Sequence, residues 1–294
     1  MILEEECIGC MLNQIFKALR LLKPDIPKDI VIKTQKNFME FLVDTDILHK
    51  PGPLIGKKTY ALIAEALGEE DPYKALKEES NKLALKYYDS VKGIIENSED
   101  PLFEAIAVSA LGNTIDYGAH HDINLLEDIK KFSADNLKIN DIPEFKKSVE
   151  KADHLLILGD NSGEIVFDKI LIETLMKLYP NLEIVFAVRG GPIINDALME
   201  DAEFIGLTDI VKVIEAPATP GVELSLASEE FKKHFFKENG IILSKGQGNF
   251  ESLLGMEIPN KDVYYLLKAK CVLMERLFKV EFGSLIFKKK EDGF

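Results

Sequence analysis

Beyond Glu150 the sequence alternates short, unbroken apolar runs with helical stretches, and this rhythm constrains the fold more than any other feature of the chain. The runs fall at residues 154–158, 184–188, 210–214, 241–243 and 263–267. A strand with one wet face alternates apolar and polar residues. An unbroken run suits a strand buried on both faces, as in a parallel sheet covered by helices. The expected class is therefore α/β, a doubly wound, mostly parallel sheet in the C-terminal half, with residues 283–287 as an added edge strand.

Residues 7–131 follow a different period. Apolar side chains recur at three and four residues, as in Ile15, Leu19 and Leu22 or Leu83, Tyr87, Val91 and Ile94, which is the spacing of one helix face. Prolines at Pro24, Pro27, Pro51, Pro53 and Pro101 mark breaks between helices, because proline restricts the residue before it and lacks an amide donor. Two units are expected: an all-helical domain over residues 1–140 and an α/β metal- and phosphate-binding domain over residues 141–294. No flexible linker or internal repeat separates them.

Charge narrows the partners. The formal net charge of −14 repels nucleic acid, and the dense basic cluster Lys288-Lys289-Lys290 sits at the extreme C-terminus, so no nucleic-acid partner is expected. A phosphorylated substrate is repelled at long range too, so a phosphate site here needs local cations or a divalent metal. An acidic N-terminus and the lack of an apolar run of about 18 residues argue against a signal peptide and a membrane partner. Three cysteines are too few for a disulfide framework and agree with a reducing, cytoplasmic compartment.

Three segments carry the chemistry, each expected at the carboxyl end of a buried strand. In Leu158-Gly159-Asp160-Asn161-Ser162-Gly163-Glu164, Asp160 and Asn161 stand where open parallel sheets bind ligands. Two hard oxygen donors there suit Mg²⁺ or Mn²⁺; alternatively Asp160 caps the next helix. In Arg189-Gly190-Gly191-Pro192-Ile193-Ile194-Asn195-Asp196, Arg189 offers a fork of donors for phosphate, or pairs with a surface acid. Asp196, expected one turn into a helix, supplies a second carboxylate. In Ser244-Lys245-Gly246-Gln247-Gly248-Asn249-Phe250-Glu251, Lys245 beside glycine amides suits a phosphoryl group, or decorates a glycine turn facing solvent. In the helical half, Asn113 and Asp116 share a helix face and either reach substrate hydroxyls or bond across the domains. Cys7-Ile8-Gly9-Cys10 has metal or redox spacing, completed by His120 or His121 or left as two half-buried thiols.

Together these segments, in this order, resemble the damage-control phosphatase family, and the cysteine pair resembles its stand-alone prokaryotic and archaeal branch. The resemblance spans nearly the whole chain. It implies a helical domain packed on a Rossmann-like domain and a divalent ion (Mn²⁺, Mg²⁺, Co²⁺ or Ni²⁺) on Asp160, Asn161 and Asp196. It also implies hydrolysis of phosphate monoesters of small, damaged or surplus metabolites such as sugar phosphates. Asp160, Arg189 and Lys245 are then the expected catalytic groups, with Asn113, Asp116, Glu164, Asn195 and Gly246 at the substrate. Asp160 either holds the ion or attacks phosphorus itself. Two other readings stand beside this one: a carboxyl methyltransferase using S-adenosylmethionine, disfavoured by the lack of a multiple-glycine turn after the first strand, and a non-catalytic sensor of phosphorylated ligands.

Overall fold

A computed structural model describes residues 3–47, 49–50, 52–112 and 136–291. Helices α1 (Glu5–Leu22), α2 (Lys28–Val43) and α3 (Gly52–Leu67) pack on one another through Ile15, Leu19, Phe38, Ile55 and Ile63. Helices α4 (Lys74–Leu85), α5 (Tyr88–Glu96) and α6 (Pro101–Gly112) follow. Pro101 opens α6 at a position where a missing amide costs nothing. Nearly every side of α6 is buried.

The rest of the chain builds a seven-stranded sheet with β1 (Leu137–Asn140), α7 (Ile142–Val149), β2 (His154–Leu158), α8 (Glu164–Leu178), β3 (Glu183–Arg189), α9 (Met199–Phe204) and β4 (Lys212–Ala216). It continues through α10 (Glu229–Phe235), β5 (Gly240–Lys245), α11 (Gln247–Leu253), β6 (Asp262–Lys268), α12 (Val272–Phe278) and β7 (Leu285–Lys289). The strand order is β1-β7-β6-β5-β2-β3-β4. All neighbours are parallel except β6 and β7. From β2 the chain winds outward through β3 and β4, then returns to the other side of β2 with β5. The reversal makes the gap between β2 and β5 a switch point, where open α/β sheets bind ligands beyond the carboxyl ends of the strands.

Two details differ from the sequence expectation. The seventh strand is interior, because β1, a strand inside the stretch assigned to the helical domain, pairs with it and takes the edge. The run at 210–214 starts its strand two residues later, at Lys212, since Ile210 and Val211 are turn residues packed against the core.

Successive residues of the central strands enter opposite cores, as the two-residue period requires. Leu155, Ile157, Phe186 and Leu243 face the layer of α6 and α8, while Leu156, Leu158, Val185 and Ile242 face the other side with Phe231, Phe235 and Phe250. Each such side chain contributes about 1.5–3 kcal/mol by leaving water. Val91, Ile95 and Ile106 of α5 and α6 belong to the same cluster as Leu155 and Phe167, so part of the helical half completes the core of the sheet. Gly112 permits the close approach of α6 to α8: a Cβ there would lie 2.9 Å from Phe167 and 3.3 Å from Glu164. Among the described residues no helix is long and apolar enough to cross a membrane.

Candidate active site

The loops after β2, β3 and β5 meet at the switch point. After β2, Asp160 and Asn161 are partly exposed on the crevice floor. Gly163 turns the chain into α8 with φ +80°, a conformation glycine adopts at no steric cost. Its amide donates to Asn81 Oδ1 at 2.6 Å, and Asn81 Nδ2 donates to Asp201 Oδ1 at 2.7 Å, so α4 fixes the entry to α8.

The loop after β3 folds back on this turn. Ala197 N donates to Asp160 O at 2.8 Å, Ser162 N donates to half-buried Asn195 O at 2.9 Å, and Asn161 bridges Asp196. These bonds bring Asp160, Asn161 and Asp196 together. Asp196 does not sit in a helix as expected: Ile194 at φ +44° breaks any helical start at Pro192, and α9 begins only at Met199.

Arg189 is buried. Nε donates to Asp196 Oδ2 at 2.7 Å, Nη1 to Gly221 O at 3.1 Å and Nη2 to Asn249 Oδ1 at 3.2 Å. Asn249 in turn donates to Gly159 O at 3.0 Å and Lys245 O at 2.9 Å. One arginine and one asparagine thus tie all three strand-end loops. Arg189, expected as a phosphate fork, here uses three of its donors as an internal brace.

Lys245 is fully buried, contrary to a solvent-facing lysine on a glycine turn. Its ammonium lies 2.5 Å from Glu164 Oε1, pairs with Asp168 Oδ1, and donates to Ser109 O at 3.3 Å. Glu164 and Asp168, one turn apart on α8, form the jaws that hold it. Burial alone would lower the lysine pKa, but Asp168 and Glu164 raise it above its ordinary value. Asn161 Nδ2 donates to Asp160 Oδ2 at 2.8 Å and Glu164 Oε2 at 3.2 Å, linking this pair to the crevice floor. Gly246, at φ +77°, lets the backbone close over Asp160: a Cβ there would sit inside its carboxylate.

Asp160, Glu164, Asp168 and Asp196 therefore bring four carboxyl groups against two buried cations, Arg189 and Lys245, with Lys270 exposed near Asp160 at the rim. Burial, then Glu164 and Asp196, push the Asp160 pKa up to about 7. Asp196 is also raised, by burial that Arg189 only partly offsets.

Asn113, Asp116, His120 and His121 lie outside the described residues. Cys7 is half-buried, Cys10 exposed, and both thiols are free. Among the described residues, the group of three His, Cys, Asp or Glu whose ligand atoms lie within 4.8 Å of one another is His154, Glu183 and His234. These stand at the amino ends of β2 and β3 and on α10, at the opposite edge of the sheet from the crevice. Sequence reading singled out none of the three, nor Asn81, Ser109, Asp168 and Asn249 as site residues. Only Asn249 carried a signal, inside the Gly-rich segment after β5.

The family described as "Damage-control phosphatase ARMT1-like domain" matches residues 3–286. A damage-control phosphatase of Pyrococcus horikoshii is 35% identical over 286 residues, covering 96% of each protein. An uncharacterized protein of Methanocaldococcus jannaschii is 33% identical, covering 98% of this chain and 95% of that one. A damage-control phosphatase of Archaeoglobus fulgidus is 28% identical across 97% of this chain and 98% of its own length. The crystal structure of a DUF89 family protein from Pyrococcus horikoshii superposes with a TM-score of 0.87 at 32% identity, covering 99% of this chain and 100% of that one.

Proposed function

Because the chain belongs to the ARMT1-like damage-control phosphatase family, we propose that it is a metal-dependent phosphatase hydrolysing phosphate monoesters of small, damaged or surplus metabolites. The observation that carries this reading is the charge imbalance at the switch point. Four carboxyl groups against two buried cations leave a formal excess of two negative charges, which Lys270, out at the exposed rim, only partly screens and one divalent ion neutralises. A buried excess of that size is costly unless a cation balances it.

Asp160, Asn161 and Asp196 offer hard oxygen donors, which fit Mg²⁺ or Mn²⁺ with sites left for substrate. Bound there, the ion supplies Lewis-acid polarisation of a phosphoryl oxygen. The protein's own groups then act by position. Gly246 and the Asn161 amide orient the Asp160 carboxylate. Arg189 orients Asp196, and its charge lowers the cost of bringing a phosphate dianion near the acids. Lys245 neutralises Glu164 and Asp168 from behind the crevice. Arg189 and Lys245 are thus proposed as positioning groups: Lys245 is wholly enclosed by Glu164, Asp168 and Ser109, and each nitrogen of Arg189 already donates within the protein. Asn195, with Asn113 and Asp116, is proposed to meet the metabolite portion of the substrate.

The test is turnover of p-nitrophenyl phosphate with Mg²⁺, Mn²⁺, Co²⁺ or Ni²⁺, against a chelated control. Hydrolysis that requires an added ion and is lost in Asp160→Asn supports the reading. No turnover with any of the four ions, or turnover unaffected by chelation, overturns it.

A further inference from the structure

We propose that His154, Glu183 and His234 form a second divalent-metal site, suited to Zn²⁺, Co²⁺ or Ni²⁺, at the amino-terminal edge of the sheet. His154 and Glu183 open β2 and β3 and are direct cross-strand partners, so the sheet fixes their spacing. His234 comes from the last turn of α10. Both imidazoles are buried, with His154 fully so. The rings stack with centroids 5.4 Å apart, and Nε2 of His154 lies 3.2 Å from Nδ1 of His234.

That separation fits two arrangements. It is a hydrogen-bond length, and it is also the bite of one ion: two nitrogens about 2.1 Å from a metal at a near-tetrahedral angle stand roughly 3.2–3.4 Å apart. Either arrangement leaves the outer nitrogens unpaired, and the third donor favours the ion: a Glu183 carboxylate oxygen lies within 4.8 Å of a ligand nitrogen of each ring. His154 Nδ1 and His234 Nε2 are buried and have no hydrogen-bond partner, and the outer bond of an imidazole is what ordinarily decides which nitrogen keeps the proton. No outer bond therefore fixes either tautomer, and both inner lone pairs are free to turn to an ion. Burial holds the His154 ring in its neutral, ligating form at neutral pH. Two imidazoles and one carboxylate, with a fourth position open to water, are a donor set borderline ions accept.

The surroundings make Glu183 decisive. Lys237, Lys261, Lys212 and Lys233 all act electrostatically on one or both histidines, and a dication there needs an anionic ligand. Glu183 is now paired with Lys237, but both side chains are partly exposed, and such a pair is readily exchanged. His154 and Asp160 are separated by the length of β2, about 20 Å at the usual rise per residue, so this site is independent of the crevice. Bound metal would tie the starts of β2 and β3 to α10.

Cobalt titration of the full-length protein, read by visible absorption, tests the proposal. Expected is one Co²⁺ equivalent with the strong bands of four-coordinate nitrogen ligation, retained in Asp160→Asn and weakened at least tenfold in Glu183→Gln and in His234→Ala. In the Asp160→Asn background, where the crevice ion is lost, Zn²⁺ should still raise the Tm and should no longer do so once Glu183→Gln is added, while metal-dependent turnover in the single Glu183→Gln variant stays normal. If Glu183→Gln keeps the spectrum, or Asp160→Asn loses it, the site is refuted; should His234→Ala fail to fold, Glu183→Gln alone decides.

Discussion

Replacing Lys245 by Met tests the interior of the site most directly. Methionine keeps much of the stem's bulk, so packing is nearly conserved and the change falls on charge. Lys245 is 0% exposed and Glu164 and Asp168 are each 1% exposed, so solvent screening does not discount the pair. Removing one partner of such a group leaves buried acids uncompensated and costs about 3–5 kcal/mol. At roughly 2–4 °C per kcal/mol for a chain of this size, Tm should fall by about 6–20 °C. Because the folded-state pKa of Lys245 is raised, its stabilisation is fully present at pH 7 and is lost only at strongly alkaline pH. Burial already pushes the Asp168 pKa up to about 6 with Lys245 beside it, and losing that cation raises it further above its unfolded value near 4. The folded protein then binds more protons than the unfolded chain above pH 4, and stability falls as pH rises. The deficit against wild type should therefore be larger at pH 7 than at pH 5. Urea unfolding at both values, with the metal-saturated rate well below the transition, measures it; kcat should drop roughly ten- to a thousandfold as Glu164 releases Asn161. A Tm within about 2 °C of wild type at pH 7, or a deficit independent of pH, would refute the account.

Asp160→Asn should abolish metal-dependent turnover yet leave the metal-free protein at least as stable as wild type, because it removes one of several crowded carboxylates. Metal-free wild type should lose stability as pH rises from about 4 towards 7, where raised Asp160 ionises, and thermal melts of Asp160→Asn should lack that part of the slope. Asp196→Asn should also abolish turnover, but with a Tm drop, since it uncouples the charge of buried Arg189. Arg189→Lys cannot reach Gly221 and Asn249 with the same fork; Gly221 O keeps its bond from Thr219, but Asn249 Oδ1 is left buried without its donor, which should cost roughly 1–3 kcal/mol in chemical denaturation, with loss of activity. Gly246→Ala should weaken metal binding at least tenfold in equilibrium dialysis, because a Cβ there displaces the Asp160 carboxylate; unchanged affinity would remove Asp160 from the ligand set. Beryllium fluoride in place of phosphate should form an adduct on Asp160 only if that carboxylate attacks phosphorus, which mass and spectroscopic analysis can detect.

Four of the five apolar runs mark their strands within a residue or two because β2, β3, β5 and β6 are buried on both faces. Edge elements obey weaker rules. β4 alternates exposed and buried positions, so its apolar run is offset, and β1 buries little beyond Leu137. At the site, residue type announced acids and bases at strand ends, which is a matter of position along the chain. What those groups bond to is a matter of tertiary geometry. Nothing in the spacing of Lys245, Glu164, Asp168 and Ser109 says that one buried ammonium joins all three, or that Asn81 from α4 reaches Gly163. His154, Glu183 and His234 lie 29 or more residues apart in sequence, which is beyond the reach of any local motif.

The pairing of β1 with β7 sets a schedule for synthesis. β1 is made near the middle of the chain, yet its partner is the last strand, roughly 145 residues later. At about 5–20 residues per second, the edge of the nascent sheet waits on the order of ten to thirty seconds for that partner. β6, finished some 17 residues before β7 begins, shows open backbone donors and acceptors on that flank only at the end of this wait, whereas β1 stays unpaired through all of it. A chain cut short before residue 285 would hold every crevice loop in its sequence yet leave the edges of β1 and β6 unpaired, two ready templates for a strand of a second copy.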